Sequence, residues 1–426
     1  MLIFANTTTV TAGDNAWVLI SAALVLVMCI PGLFLFYGGL VRSKNVLSVA
    51  AQCLALTAMG ILMWWGFGYS LVFGTSLAGS GLGQIFGGTE HLGFAGIGAG
   101  ASNYDGRISS GTFAIFQAMF AAITPALIIG AVAERMKFSA VMIFSALWTL
   151  LVYYPVAHAV WGQSGAFSAL ANPQSAFKSI DFAGGIVVHM TSGWSALLLC
   201  IMVGPREGFG KRAMAPHSMV LCVLGTGLLW AGWYGFNAGS ALAADGIAVQ
   251  AFLTTTLAAA AATLSWGLVE IFHRGKPSVL GLCSGSIAGL ATITNAAGFV
   301  STGSAILIGV VAGALSYGAC SYLKGKLKYD DALDTFGVHG VGGTIGAIAT
   351  ALLVCPKVNP ATEALVKSSL IKGQLIAMGS CILLSLIATA LIAKLIAKTI
   401  GLRPTEEEEA QGLDIADHGE EGYNHG

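Results

Sequence analysis

Two histidines and two aspartates share one spacing in this sequence. Asp181-Phe-Ala-Gly-Gly-Ile-Val-Val-His189 and Asp331-Ala-Leu-Asp-Thr-Phe-Gly-Val-His339 each place an aspartate eight residues before a Val-His pair. Both histidines fall inside long apolar stretches, where an ionisable side chain is costly and points to function. A neutral imidazole offers one donor and one acceptor. A pair of them could hydrogen-bond a small polar molecule or relay its proton. A single buried histidine reads equally well as one bonded to a neighbouring helix; the repeated context favours a functional pair. Asp181 precedes Phe-Ala-Gly-Gly and reads first as a cap on free backbone N–H groups. A direct ligand role is the second reading, and a cap at a pore mouth also sets the local field.

Aromatic residues supply the next candidate chemistry. Phe113, Phe116 and Phe120 recur at i, i+3 and i+7, while Phe236 and Ser240 are four apart and share a helix face. With Trp161, the residues Phe120 and Ser240 could form a cation–π cage with one hydrogen-bond acceptor. Such a cage suits a small cation that donates hydrogen bonds. Two other chemistries fit less well. Asp181 and His189 as a hydrolytic dyad lack a GxSxG-type nucleophile motif and lie about 80° apart around a helix. A metal carrier would want further histidines or carboxylates at the same depth. The eight cysteines include no CxxC pair and read as small buried hydrophobes. No metal site, cofactor motif or nucleotide-binding loop is expected, and Gly81-Leu82-Gly83 follows no strand.

The elements that position these residues follow from composition. Of the 426 residues, 56% are hydrophobic and 9% charged, against roughly 25% charged in ordinary soluble domains. Twenty basic and twenty acidic residues cannot cover a water-soluble body of this size. The chain is therefore read as an all-α integral membrane protein. No basic stripe exists, which argues against nucleic-acid binding. The N-terminus has no basic residue before its first apolar run and does not read as a cleavable signal.

Eleven stretches are long enough to span a bilayer: 16–40, 46–72, 112–132, 139–160, 183–203, 215–238, 249–271, 279–297, 304–323, 336–354 and 372–397. Fifteen of the twenty Lys and Arg lie after the odd-numbered spans; Arg107, Lys178, Lys357, Lys367 and Lys372 lie on the other side. The positive-inside rule then puts the N-terminus outside and the C-terminus in the cytoplasm. His189 falls about 12 Å below Asp181, and His339 lies roughly 5–8 Å inside the other boundary, at 1.5 Å per residue. Both approach the middle from opposite sides. His158 falls at the outer end of its span; His217 and Glu270 fall near the inner ends of theirs. One Asp–His string runs inward and the other outward, as in an inverted repeat of spans 1–5 and 6–10 plus an eleventh span. The organisation expected is a transmembrane domain over 1–400 and a cytoplasmic tail over 401–426.

At these residues the chain resembles the ammonium transporter family (Amt/Mep/Rh), in its bacterial Amt branch. The likeness covers nearly the whole chain. It is carried by Pro31-Gly32, by Phe36-Tyr37-Gly38-Gly39-Leu40-Val41-Arg42, by Phe116-Gln117 and by Gly130-Ala131-Val132-Ala133-Glu134-Arg135. It continues in Asp181-Phe182-Ala183-Gly184-Gly185 with His189, in Gly235-Phe236-Asn237-Ala238-Gly239-Ser240, and in Phe336-Gly337-Val338-His339-Gly340. Asn295, Gln163 and Met119 depart from common family residues at loop ends and near the pore mouth.

The resemblance implies a homotrimer of eleven-helix subunits in the bacterial inner membrane, each with its own pore, and no cofactor. It implies an outer ammonium site at Phe120, Trp161 and Ser240, a gate of Phe120 and Phe236, and pore histidines His189 and His339. Asp181 matches the acidic residue that supports ammonium recruitment and deprotonation. Ammonia, rather than the ion, would then pass the apolar pore, with net uptake of ammonia plus a proton. The acidic tail, with Glu406-Glu407-Glu408-Glu409 and Gly412-Leu413-Asp414, reads by composition as a solvated terminus. By resemblance it packs beneath the trimer, on a face that binds a PII-type nitrogen regulatory protein. The alternative function is an ammonium sensor that signals through this tail.

Overall fold

The computed structural model describes residues 9–365 and 370–423; the first eight residues and Lys367 lie outside the described residues. Ten helices are long and apolar enough to cross a membrane, and an eleventh is shorter. They are α1 (Ala12–Leu40), α2 (Ser43–Phe73), α3 (Ser110–Val132), α4 (Phe138–Trp161), α5 (Gly185–Val203), α6 (Met219–Ala241), α7 (Gly246–Arg274), α8 (Val279–Ile293), α9 (Thr302–Leu327), α10 (Phe336–Leu353) and α11 (Leu370–Thr399). Several starts are written locally in the sequence. Ser109, Ser218, Asp245, Ser278 and Ser301 each accept a backbone N–H from the first turn of the helix that follows, as N-caps do.

The eighth span ends earlier than its apolar run of 279–297. The chain leaves the helix after Ile293, and Asn295 turns to brace the loop ahead of α5. Its Nδ2 donates to the Ile180 carbonyl at 3.1 Å and to Thr350 Oγ1 at 2.8 Å. Its own carbonyl accepts from Phe182 N at 3.1 Å. Apolar residues 296–300 stay buried without being helical, so hydropathy alone cannot locate this end.

Helices α5 and α10 both begin with a widened π-type turn, Gly185–Met190 and Phe336–Gly340, and each turn carries one of the two histidines. Such turns are rare and concentrate at functional sites. The two helices cross on glycine. A Cβ on Gly193 would stand 2.1 Å from the Gly340 nitrogen, and one on Gly343 only 3.1 Å from the His189 Cβ. Small residues let the backbones touch, and that contact brings histidines 150 positions apart into register. Gly193→Val should therefore force the helices apart. We expect a loss of about 3 kcal/mol, the upper part of the range for overpacking, seen as a lowered melting temperature in detergent. A variant that melts like the wild type would contradict this account of the crossing.

The face that carries most of the basic residues is held by buried ion pairs. Glu134 accepts from Arg42 and Arg206, at 3.1 and 3.2 Å. Arg206 also grips Asp330 through two nitrogens, at 2.8 and 2.9 Å. Burial works against ionising Glu134 and Asp330, but the neighbouring guanidinium groups outweigh it and hold both carboxyls below their ordinary values. This network ties together the segments after α1, α3, α5 and α9.

The acidic tail is folded onto the same face. Two short helices, α12 (Glu406–Gln411) and α13 (Leu413–His418), meet at Gly412, whose φ of +115° suits glycine. Glu409 is buried, pairs with Arg403 and accepts from Glu207 N. Asp414 accepts from Ser48 N at 2.7 Å in the first turns of α2, and Leu413 N donates to Asn45 at 2.8 Å. Asp417 accepts from Phe138 N at 3.2 Å. Composition suggested a solvated terminus; the described tail instead joins the starts of α2 and α4 and the loop after α5, with these carboxylates used as local acceptors.

Candidate functional site

The site begins at the loop before α5. Gly184 takes φ of +114°, a left-handed conformation that side chains resist. This reversal lets Asp181 fold back over the start of the helix. One carboxylate oxygen accepts from Gly184 N and Gly185 N, at 2.7 and 2.8 Å. The other accepts from Ile186 N and Val187 N, at 2.8 and 3.0 Å. Asp181 is thus a full cap, as its sequence context suggested, and its charge sits on the positive end of the helix. Asp331 does the same for α10, accepting from Thr335 N at 3.0 Å and Phe336 N at 2.7 Å. The repeated Asp–His spacing is the spacing from a capping carboxylate to the first inward-facing imidazole.

Beside Asp181, on the face opposite the basic one, lies a cavity lined by Phe120, Trp161, Ser240, Gln117 and Tyr104. Phe120 and Trp161 meet edge to face, with centroids 6.1 Å apart and planes at 90°. Trp161 is fixed at both ends: its indole N–H donates to the Asp181 carbonyl at 3.0 Å, and its own carbonyl accepts from Tyr104 at 2.9 Å. Ser240 spends its hydroxyl proton on the Phe236 carbonyl at 2.8 Å, which leaves its lone pairs for a donor. Of the three phenylalanines of α3, only Phe120 lines this cavity. Phe113 stacks on Tyr104 and Phe116 packs against Phe120.

Phe120 and Phe236 close the cavity floor, with ring centroids 4.3 Å apart at 33°. Beyond them lies a second, apolar cavity that contains His189 and His339. Their Nδ1 atoms are 3.2 Å apart and their planes differ by 16°. One Nδ1 must donate and the other accept, so the neutral pair holds complementary tautomers. His189 Nε2 has no hydrogen-bond partner among the described residues. It is left for whatever occupies the cavity.

The seven residues expected at the site from sequence, Asp181, Trp161, Phe120, Ser240, Phe236, His189 and His339, line two adjoining cavities. His158, His217 and Glu270 do not join them. His158 is wedged between the carbonyls of Val72 and Gly83. His217 bonds Val41 and Tyr423, and Glu270 holds the first turn of α8 through Ser278. Trp233 was missed. It stacks under His189, centroids 5.4 Å apart at 26°, and is pinned by Thr294 at 2.9 Å. Its spacing of three from Phe236 on α6 was an available signal. No group of three or more potential metal ligands exists among the described residues.

Residues 16–423 match the model of the Ammonium Transporter Family. The chain belongs to the ammonium transporter family. A protein of Methanothermobacter thermautotrophicus is 47% identical over 97% of this chain and 98% of its own. The ammonium transporter of Bacillus subtilis is 45% identical over 96% and 98%. Among solved structures, Mep2 of Saccharomyces cerevisiae superposes with a TM-score of 0.84 at 34% identity, covering 94% of this chain and 89% of that one. A sensor Amt protein gives 0.83 at 29%, covering 95% and 98%. The family's all-α, multi-pass membrane architecture is thus the one observed.

Proposed function

We propose that this chain carries ammonium across the cell membrane, recruiting the ion at the aromatic cavity and passing it on as ammonia. The carrying observation is the order of the parts: a cation–π cage with a free acceptor, two stacked rings, then an apolar cavity with paired imidazoles. Desolvating a bare cation costs several kcal/mol, so an apolar cavity rejects potassium and ammonium alike. Ammonium alone can shed a proton and continue as a neutral molecule. The rings of Phe120 and Trp161 face the ion, and Ser240 Oγ accepts one of its N–H groups. Asp181 supports the site through its charge and through its backbone carbonyl, which accepts the Trp161 indole N–H. Once past Phe236, ammonia accepts from or donates to His189 Nε2. The released proton crosses by the imidazole pair and rejoins ammonia on the far side, which gives net uptake of ammonium.

In this reading the cavity with Trp161 faces outward and the basic face with the tail is cytoplasmic, in a bacterial inner membrane. The protein works as a homotrimer embedded in lipid, and the basic face receives a PII-type nitrogen regulatory protein. A second reading, an ammonium sensor, is favoured by one observation: the tail is latched by specific bonds to two helix starts and one loop of the membrane domain. The two separate by flux. In proteoliposomes carrying an internal pH dye, the wild type should show saturable ammonium-driven uptake. Trp161→Leu should raise the half-saturating concentration about tenfold, the loss of a partly desolvated cation–π contact. Wild-type vesicles that respond no faster than protein-free ones would overturn the transport reading and leave the sensor.

A further inference from the structure

Among the described residues lining the aromatic cavity, one buried side-chain atom has no hydrogen-bond partner. Both Asp181 oxygens are occupied by four backbone N–H groups. The Asp181 carbonyl takes the Trp161 indole, and the Trp161 carbonyl takes Tyr104. Gln117 sits on α3 one helical turn before Phe120 and lines the same cavity. Its Oε1 is buried without a hydrogen-bond partner. No hydrogen bond joins its amide nitrogen to another described residue. Amide orientation is read from hydrogen bonding; no described residue holds this amide in one sense, and its oxygen can turn to the cavity. A buried amide oxygen without a partner is costly, and nearly all such groups in folded proteins are satisfied. An occupant that donates hydrogen bonds would satisfy this one.

We propose that Gln117 is a further ligand of the ammonium ion, accepting an N–H alongside Ser240; this rests on the recruitment reading above. The ion has four N–H groups and no acceptor. Two rings can face it, and Ser240 offers one oxygen. Gln117 supplies a second oxygen from the α3 wall. An uncharged acceptor is suited to this position. It raises affinity for a hydrogen-bonding cation without adding a fixed charge that would hold the ion at the entrance to an apolar path.

The test is the ammonium dependence of the current in proteoliposomes of the full chain, for wild type, Gln117→Leu, Gln117→Glu and Trp161→Leu, with melting curves for each. Gln117→Leu should raise the half-saturating ammonium concentration about tenfold, as loss of a hydrogen bond to a charged group does, with the maximal current little changed. Gln117→Glu keeps an acceptor of the same reach and should saturate at or below the wild-type concentration. Half-saturation unchanged in Gln117→Leu would overturn the proposal. So would equal rises in the Leu and Glu variants, which would mark Gln117 as a packing residue. If Gln117→Leu shows no melting transition, Gln117→Met, which keeps the shape and removes the acceptor, decides by the same readings. A shift in Trp161→Leu without one in Gln117→Leu overturns only this inference. No current in the wild type overturns the recruitment reading itself.

Discussion

Replacing Asp181 by alanine should abolish transport and weaken the fold at the start of α5. Four buried N–H groups, those of residues 184–187, would lose their acceptor, and each unsatisfied group costs about 1–3 kcal/mol before relaxation. Water entering the site would recover part of this, so the expected net loss is about 3 kcal/mol. The functional loss should be larger. The turn that its carboxylate caps carries His189, and the backbone carbonyl of the same residue accepts the Trp161 indole. Loss of the cap therefore removes the support of the histidine pair directly, and that of the cage only through the displaced backbone. Asp181→Asn is not a mild change here. Its amide can serve two of the four N–H groups through oxygen, but its NH2 then opposes the other two. We expect flux at least a hundredfold below wild type in both variants, about the cost of two lost oriented contacts. Flux assays with melting curves check this. Wild-type flux in Asp181→Ala would show that the cap is dispensable.

The second large effect is expected when both imidazoles are removed. In His189→Ala with His339→Ala, the polar pair in the apolar cavity is gone, and a space floored by Trp233 and Phe236 remains. Two lost rings leave room for water. Hydrated cations then have a continuous path, and the several kcal/mol that excluded them falls away. The double variant should therefore pass potassium, with a current within about tenfold of its ammonium current; each tenfold corresponds to about 1.4 kcal/mol of barrier. A double variant that still excludes potassium would assign selectivity to the stacked rings of Phe120 and Phe236 instead.

The parts of this arrangement that were legible in the sequence share a physical cause. In a chain with so few ionisable residues, each one within a span stands out, and Asp181, His189 and His339 could be read individually. The pair of Asp–His strings pointed to an inverted repeat, and Phe-Ala-Gly-Gly after Asp181 pointed to a cap; that Asp331 caps α10 in the same way is seen only in the structure. Phe120, Phe236 and Ser240 followed from helical periodicity on α3 and α6. What stayed hidden depends on contacts between distant segments. Trp233 is one of nine tryptophans; its spacing of three from Phe236 puts it near the same helix face, but only the approach of α5 reveals that its indole stacks on an imidazole. The early end of α8 is set by Asn295 reaching Ile180 and Thr350, while the residues after it remain apolar. The crossing at Gly193 and Gly340 lies among 57 glycines, most of which pack helices in less demanding ways. The docking of the tail turns on Asn45 and Ser48 at the start of α2, which have no sequence signal of their own.

The account turns on ammonium losing its proton before it meets the apolar cavity. The most direct test is solid-supported-membrane electrophysiology on wild-type proteoliposomes, with matched pulses of ammonium and potassium. A saturable ammonium current with no potassium current above that of protein-free membranes is the predicted result, because only ammonium can give up a proton, which crosses separately by the imidazole pair, and continue as a neutral molecule. A potassium current of similar size in the wild type would mean that intact cations traverse the pore, and it would contradict the account.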